Sequence, residues 1–148
     1  MKWVTRQRPK TDRIACPWLI RRFIDPQAEI RYVPADQVLA VAEIEAARSF
    51  DAPDAEFTHR GNQCTFEVLI DEFQLGGDPA LARLARIVHA ADIAAELDRH
   101  PFGAAVRAIG DAGAAVEPDD QQLLQRGLFV YDALYAHCQR HTTVSAPQ

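Results

Sequence analysis

Trp3-Val4-Thr5, then Asp12-Arg13-Ile14-Ala15-Cys16-Pro17-Trp18-Leu19-Ile20-Arg21-Arg22-Phe23-Ile24, then Glu29-Ile30-Arg31-Tyr32-Val33 decide the fold class of this chain. The first is a short aromatic and β-branched run that reads as a strand. The second carries Ile14, Leu19, Ile20, Phe23 and Ile24 at helical spacing, with Pro17 either breaking or starting the helix. Asp25-Pro26 ends it, because the residue before a proline disfavours the helical region. The third alternates, with Ile30 and Tyr32 on one face, and Pro34 closes it. Asp36 caps a following helix that runs through Ala47, with Val38, Leu39 and Ala42 setting its period. A strand–helix–strand–helix opening argues for an α/β fold whose first two strands are parallel, with mixed α+β as the alternative.

Outward from there, Ser49-Phe50-Asp51 and Glu56-Phe57-Thr58 are short strand candidates around an Ala52-Pro53-Asp54 turn. Thr65 to Phe73 is an amphipathic helix with Phe66, Leu69, Ile70 and Phe73 on one stripe. Gly76-Gly77 ends that unit, and Asp78-Pro79 supplies the cap and first residue of a helix burying Leu81, Leu84, Val88 and Ala91. Pro101 and Pro118 are placed to open helices over 101–110 and 118–139. The second of these carries Leu124, Leu128, Tyr131, Tyr135 and Cys138 on one stripe, with a bend at Gly127. The expected architecture is a single domain over residues 1–141, a sheet of three to four short strands covered by helices, a mostly helical C-terminal half, and a loose tail over 142–148.

At 148 residues and 48% hydrophobic, the chain can bury a real core and is too apolar for disorder. No apolar run approaches the roughly 20 residues a membrane helix needs, and Met1-Lys2-Trp3-Val4-Thr5-Arg6 opens polar and basic, without the apolar segment of a signal peptide. Three widely spaced cysteines without a CxxC exclude a disulfide framework and fit a reducing cytoplasm. Residues 1–31 carry a net +5, which leaves −10 on the rest, and 14 of the 16 basic residues are arginine. Arginine's planar fork suits carboxylates and oxyanions, so this asymmetry points to an anion site or an acidic partner near the start of the chain. Ordinary surface ion pairs are the alternative. A pI near 5.5 argues against direct nucleic-acid binding.

Three groups of residues could carry chemistry. If Pro17 is the first residue of the main helix, Cys16 is its N-cap. There the positive helix end and the guanidinium groups of Arg13, Arg21 and Arg22 would favour a thiolate and could hold an oxyanion. Against this stands the usual role of free cysteine as inert core packing. The second group is His59-Arg60-Gly61, Cys64, Glu67 and Asp71, with the two carboxylates four apart on one helix. The third is His89 with Asp92, three apart on another. His59, Glu67, His89 and Asp92 together would make a mixed nitrogen and oxygen site for a divalent transition metal such as zinc, manganese or iron, supported by Arg60, Cys64 and Asp71. Such pairs are also common on solvated helix faces. Tyr131 and Asp132 on the last helix could support a site through hydrogen bonds, or serve packing. The G-x-S-x-G, P-loop, G-x-G-x-x-G and H-E-x-x-H patterns are absent from the sequence.

Trp3-Val4-Thr5-Arg6, the run from Asp12 to Asp25 and Tyr32-Val33-Pro34 resemble the ChrB-type chromate-resistance domain. So do His59-Arg60-Gly61 with Cys64-Thr65-Phe66, Ala91-Asp92, and Val130-Tyr131-Asp132-Ala133-Leu134-Tyr135, in the same order. The resemblance implies a domain that is C-terminal in chromate-responsive regulators, that other members join to a rhodanese-like domain, and that is expected to stand alone here. Taken with the basic helix start, it suggests a cytoplasmic chromate-resistance or stress protein that binds a chromate-like oxyanion or a metal ion as sensor or accessory factor; the residue reading puts Arg13, Arg21 and Arg22 on the anion and makes Cys16 the redox-sensitive thiol. A metal-dependent enzyme of unknown reaction is the second reading. The third is an interaction module for a separate DNA-binding or rhodanese-like partner, or for a second copy of itself.

Overall fold

A computed structural model describes residues 1–145. Strand β1 (Lys2–Arg6) leads into helix α1 (Asp12–Leu19), which widens into a π-helical turn over Ile20–Ile24 before β2 (Glu29–Val33). Helix α2 (Val38–Glu45) and the short β3 (Arg48–Ser49) complete the first half. Helices α3 (Thr65–Glu72), α4 (Pro79–Asp92), α5 (Gly103–Val116) and α6 (Asp120–Ser145) make up the second. The sheet is parallel, in the order β2-β1-β3, with Val4 opposite Arg31 on one side and Ser49 on the other. The expected small parallel sheet and helical C-terminal half are both present. The Glu56–Thr58 strand shrinks to a single bridge between Phe57 and Phe50. The last two helices differ from expectation at their ends: α5 starts at Gly103 and runs to Val116, and α6 starts at Asp120. Helix α6 also passes through the segment expected to be a tail, as far as Ser145, and residues 146–148 lie outside the described residues. No helix among the described residues is long and apolar enough to cross a membrane.

Strand β1 is buried on both faces, which is why it reads as continuous Trp-Val-Thr rather than an alternation. Trp3 enters the main core with Trp18, Phe66, Leu69, Leu84 and Leu124, whereas Val4 packs on the opposite face with Val33 and Val38. Trp18 anchors α1 between helices, stacked on Phe66 of α3 at 6.5 Å and tilted against Tyr135 of α6 at 5.5 Å. Gly127 lets α6 approach α1 closely, because a β-carbon there would stand 2.4 Å from the Cγ2 of Ile14. Its role is close packing rather than the expected bend.

Pro17 neither starts nor breaks the helix. It sits inside α1, which begins at Asp12. A proline there has no N–H for the carbonyl four residues back, which is that of Arg13. The Tyr32 hydroxyl, from β2, donates to that carbonyl at 2.6 Å and so replaces the lost intrahelical bond. Tyr32→Phe should therefore cost about 1 kcal/mol or more of stability, measured by urea unfolding. The cost should shrink in a Pro17→Ala background, where residue 17 regains an N–H for the same carbonyl. Equal costs in both backgrounds would contradict this compensation.

Candidate functional site

In a sheet ordered β2-β1-β3, the chain leaves β1 for a neighbour on one side and later returns to its other side. The crevice beyond the C-terminal ends of β1 and β3 is then a topological switch point, where open α/β sheets bind their ligands. A pocket of about 320 Å³ opens there. Its wall takes Arg6 from the end of β1, Asp12 and Arg13 from the start of α1, and Asp51 from just beyond β3. His59 comes from the loop before α3, Asp92 from the end of α4 and Arg107 from α5.

Three carboxylates converge on one imidazole nitrogen. The Nε2 of His59 lies 3.2 Å from Asp92, 3.6 Å from Asp51 and 3.7 Å from Asp12. One ligand atom each of Asp12, His59 and Asp92 lies within 4.8 Å of the other two. His59 is half open to solvent at 46%, whereas the Asp12 side chain is 1% exposed, so the imidazole covers a buried acidic floor. That floor is held in place from several sides. Asp12 accepts the Thr65 backbone N–H at 2.9 Å and faces the Cys16 thiol at 3.6 Å. Asp51 accepts the Thr65 hydroxyl at 2.8 Å, and Arg6 donates to both its carbonyl and its carboxylate. Asp51 also has a left-handed backbone, with φ of +50°, a conformation that non-glycine residues adopt at some cost and that gathers at functional sites. At the end of α4, Arg107 ties down the carbonyls of Ala91 and Asp92 at 3.1 and 3.2 Å.

Burial pushes the Asp12 carboxyl up to about 7, and the charges of Asp92 and Asp51 push the same way while His59 opposes them. Hydrogen bonds to Asp12 and Asp92 raise His59 to about 10. Near neutral pH the cluster therefore keeps a proton on His59, at the point where a divalent cation would lie. On the rim, burial and the neighbouring Arg6 lower Arg13. Its Nη2 donates to the Arg8 carbonyl at 3.1 Å, but its Nε is buried without an acceptor among the described residues.

The four residues expected to form one metal set are divided between two places. His59 and Asp92 join Asp12 in the switch-point pocket, while Glu67 and His89 join Cys64. The start of α3 separates them: Thr65 is tied to Asp12 and Asp51, whereas Glu67 turns back to the Cys64 N–H and to His89 at 2.6 Å. The expected oxyanion set is also dispersed. Arg13 is on the pocket wall, but Arg21 donates to the Ala28 carbonyl, and Arg22 forms a two-pronged pair with Asp132 at 3.0 and 2.8 Å. Cys16 is not an N-cap, because α1 begins at Asp12. It is fully buried within the helix, and burial together with Asp12 pushes its thiol well up, opposite to the activated thiolate expected there. Of the supporting residues, Asp132 accepts from Trp18 and Arg22, Arg60 pairs with Glu72, Asp71 accepts from Gln63, and Tyr131 is buried in the core. Asp51, Arg6 and Arg107 were not among the expected site residues, nor was Asp12 as a ligand. The one cue was Asp12 at a helix start, in the densest segment of the chain.

Comparison with known proteins places this geometry in a family. The model for the ChrB C-terminal domain matches residues 3–138. Protein ChrB of Cupriavidus metallidurans is 39% identical over 145 residues, covering 92% of this chain. The chain spans 40% of that relative's length. No solved structure matches it. The chain belongs to the ChrB C-terminal-domain family.

Proposed function

We propose that this domain holds a divalent transition metal on Asp12, His59 and Asp92, with Asp51 beside them, and binds a small chromate-like oxyanion on the basic rim above it. It would act as a cytoplasmic sensor or accessory protein in chromate resistance. The convergence of three carboxylates on the Nε2 of His59 supports this reading most directly. Two of those carboxylates are buried, at 2% and 5% residue exposure; Arg6 pairs with Asp51, which leaves Asp12 and Asp92 to share one imidazole. Buried charge of this kind is kept when a cation is paired with it. A donor set of oxygens and one imidazole suits manganese, iron or zinc. Such a metal would supply a fixed positive charge facing the pocket. Lys10, Arg13 and Arg107 line the same pocket, and guanidinium forks are the usual means of holding a tetrahedral dianion. Arg13 suits this role best, since it lines the pocket and its guanidinium donates to a backbone carbonyl rather than to a carboxylate.

Asp92→Asn and His59→Gln should each weaken manganese binding, measured by calorimetry, more than about tenfold, since each removes one direct ligand. Unchanged affinity in both variants would remove the metal from the reading. For the anion, Arg13→Ala should weaken chromate binding to metal-loaded protein, whereas Arg22→Ala, which loses only its pair with Asp132, should not. Equal affinities would count against the rim.

The pH dependence has a definite sign. Folded His59 sits above its free value of 6.5, so its stabilisation is fully present below pH 6.5 and lost as the pH rises through about 10. Asp12, raised from 3.8 to about 7, favours the protonated form in the fold, so its contribution is lost between pH 3.8 and about 7 and the decline above neutrality belongs to His59. Metal-free protein should lose thermal stability from neutral to alkaline pH, and metal affinity should rise over the same range as the proton leaves. His59→Gln should flatten the upper part of both curves.

A further inference from the structure

We infer that Cys64, Glu67 and His89 form a second cation site, distinct from the switch-point pocket and selective for a borderline-soft divalent metal of the zinc and cobalt type. One ligand atom from each of these residues lies within 4.8 Å of the other two. The three come from two elements that the fold holds together: Cys64 and Glu67 from the start of α3, His89 from the last turn of α4. Glu67 is oriented by the Cys64 N–H at 2.9 Å and meets the Nδ1 of His89 at 2.6 Å, while the other ring nitrogen lies 3.6 Å from Glu96. Cys64 is the N-cap of α3, and its sulfur faces the N–H of Glu67. Burial pushes the Cys64 thiol well up, so it carries its proton until a cation displaces it, and the helix N-terminus then faces the thiolate that results.

A pocket of about 360 Å³, lined by Glu67, His89 and Glu96 together with Asn62, Arg86 and Arg99, opens this cluster to solvent. Cys64 is fully buried and does not line this pocket, but its sulfur lies within 4.8 Å of ligand atoms of Glu67 and His89, which do. A cation entering past Glu96 and His89 would find sulfur, nitrogen and oxygen donors from three side chains, with a water as the fourth. That is the donor count and chemistry of tetrahedral zinc. The two clusters differ in softness. The switch-point pocket offers carboxylates and one imidazole, and the second cluster offers a thiolate, which soft and borderline metals prefer and manganese or magnesium do not. The inference does not rest on the function proposed above, because it uses none of the same ligands.

Cobalt titration of the intact protein tests it, because a bound thiolate gives a sulfur-to-cobalt charge-transfer absorption that oxygen and nitrogen donors do not. The wild type should develop this band at saturation. Cys64→Ser should abolish it while keeping the helix capped, since a serine hydroxyl accepts the same N–H. His89→Gln should weaken the cobalt affinity of the band at least tenfold and gives an independent reading if the serine variant fails to fold. Asp92→Asn should leave the band intact. Absence of the band in saturated wild type, or its persistence in Cys64→Ser, would overturn the site. Failure of the switch-point metal would show differently, as Cys64→Ser protein that binds no manganese.

Discussion

The carboxylate of Asp12 ties the packing of this domain to its chemistry. It lies almost wholly out of solvent, at the first residue of α1, and receives the Thr65 N–H that begins α3. An ionised carboxylate so placed costs several kcal/mol unless charge or hydrogen bonds offset it. The offsets present are a thiol, an N–H, and an imidazole from the loop before α3. Asp12 thus bonds to the start of α3, which Trp18 and Phe66 already pack against α1, and with Asp92 holds the proton on His59. A cation bound here would replace the proton without disturbing the bonds that hold α3.

The basic start of the chain divides along the same line. Arg6 is consumed by Asp51, Arg22 by Asp132, and Lys2 and Arg31 share Glu45, so each of these arms serves as a strut between segments distant in sequence. Lys10 makes only a long contact with Asp111, 3.8 Å away and exposed, and Arg13 donates to a carbonyl rather than a carboxylate. Charge asymmetry alone cannot separate struts from binding groups, since both look identical until the acidic partner is placed. The reading of an anion site near the start of the chain keeps Arg13 and loses Arg21 and Arg22 for this reason.

The strands and helices are legible where burial or capping leaves a local mark on the sequence. Trp3-Val4-Thr5 and Glu29–Val33 gave the parallel pair, and Asp78-Pro79 marked the start of α4, where the Asp78 side chain accepts from Ala80 and Leu81. Pro17 misled, because its proper compensation is the Tyr32 hydroxyl, fifteen positions away and on another element. With the helix start misplaced, Cys16 was given the polarity of an N-cap when it has that of a helix interior. The site was half legible: His59 and Asp92 carry the right residue types, but no spacing rule links them to Asp12 or Asp51. Those four meet only because β1 and β3 are neighbours and α4 ends at the same edge. Residues three apart on one helix suggested that His89 and Asp92 share a site, and the wedge of α3 between them could not be read from either.

That wedge gives the two clusters a common mechanical frame. Cys64 and Thr65 are adjacent residues, one facing His89 through Glu67, the other bonded to Asp12 and Asp51. His89 and Asp92 are likewise one turn apart at the end of α4, which Arg107 clamps through the Ala91 and Asp92 carbonyls. Any cation drawing Cys64 toward His89 acts on the residue next to Thr65 and on the helix turn that carries Asp92. Coupling between sites needs a shared element with differing contacts in the two occupancy states, not proximity alone. The start of α3 and the end of α4 meet the first requirement, because both clusters are built from the same two helix ends.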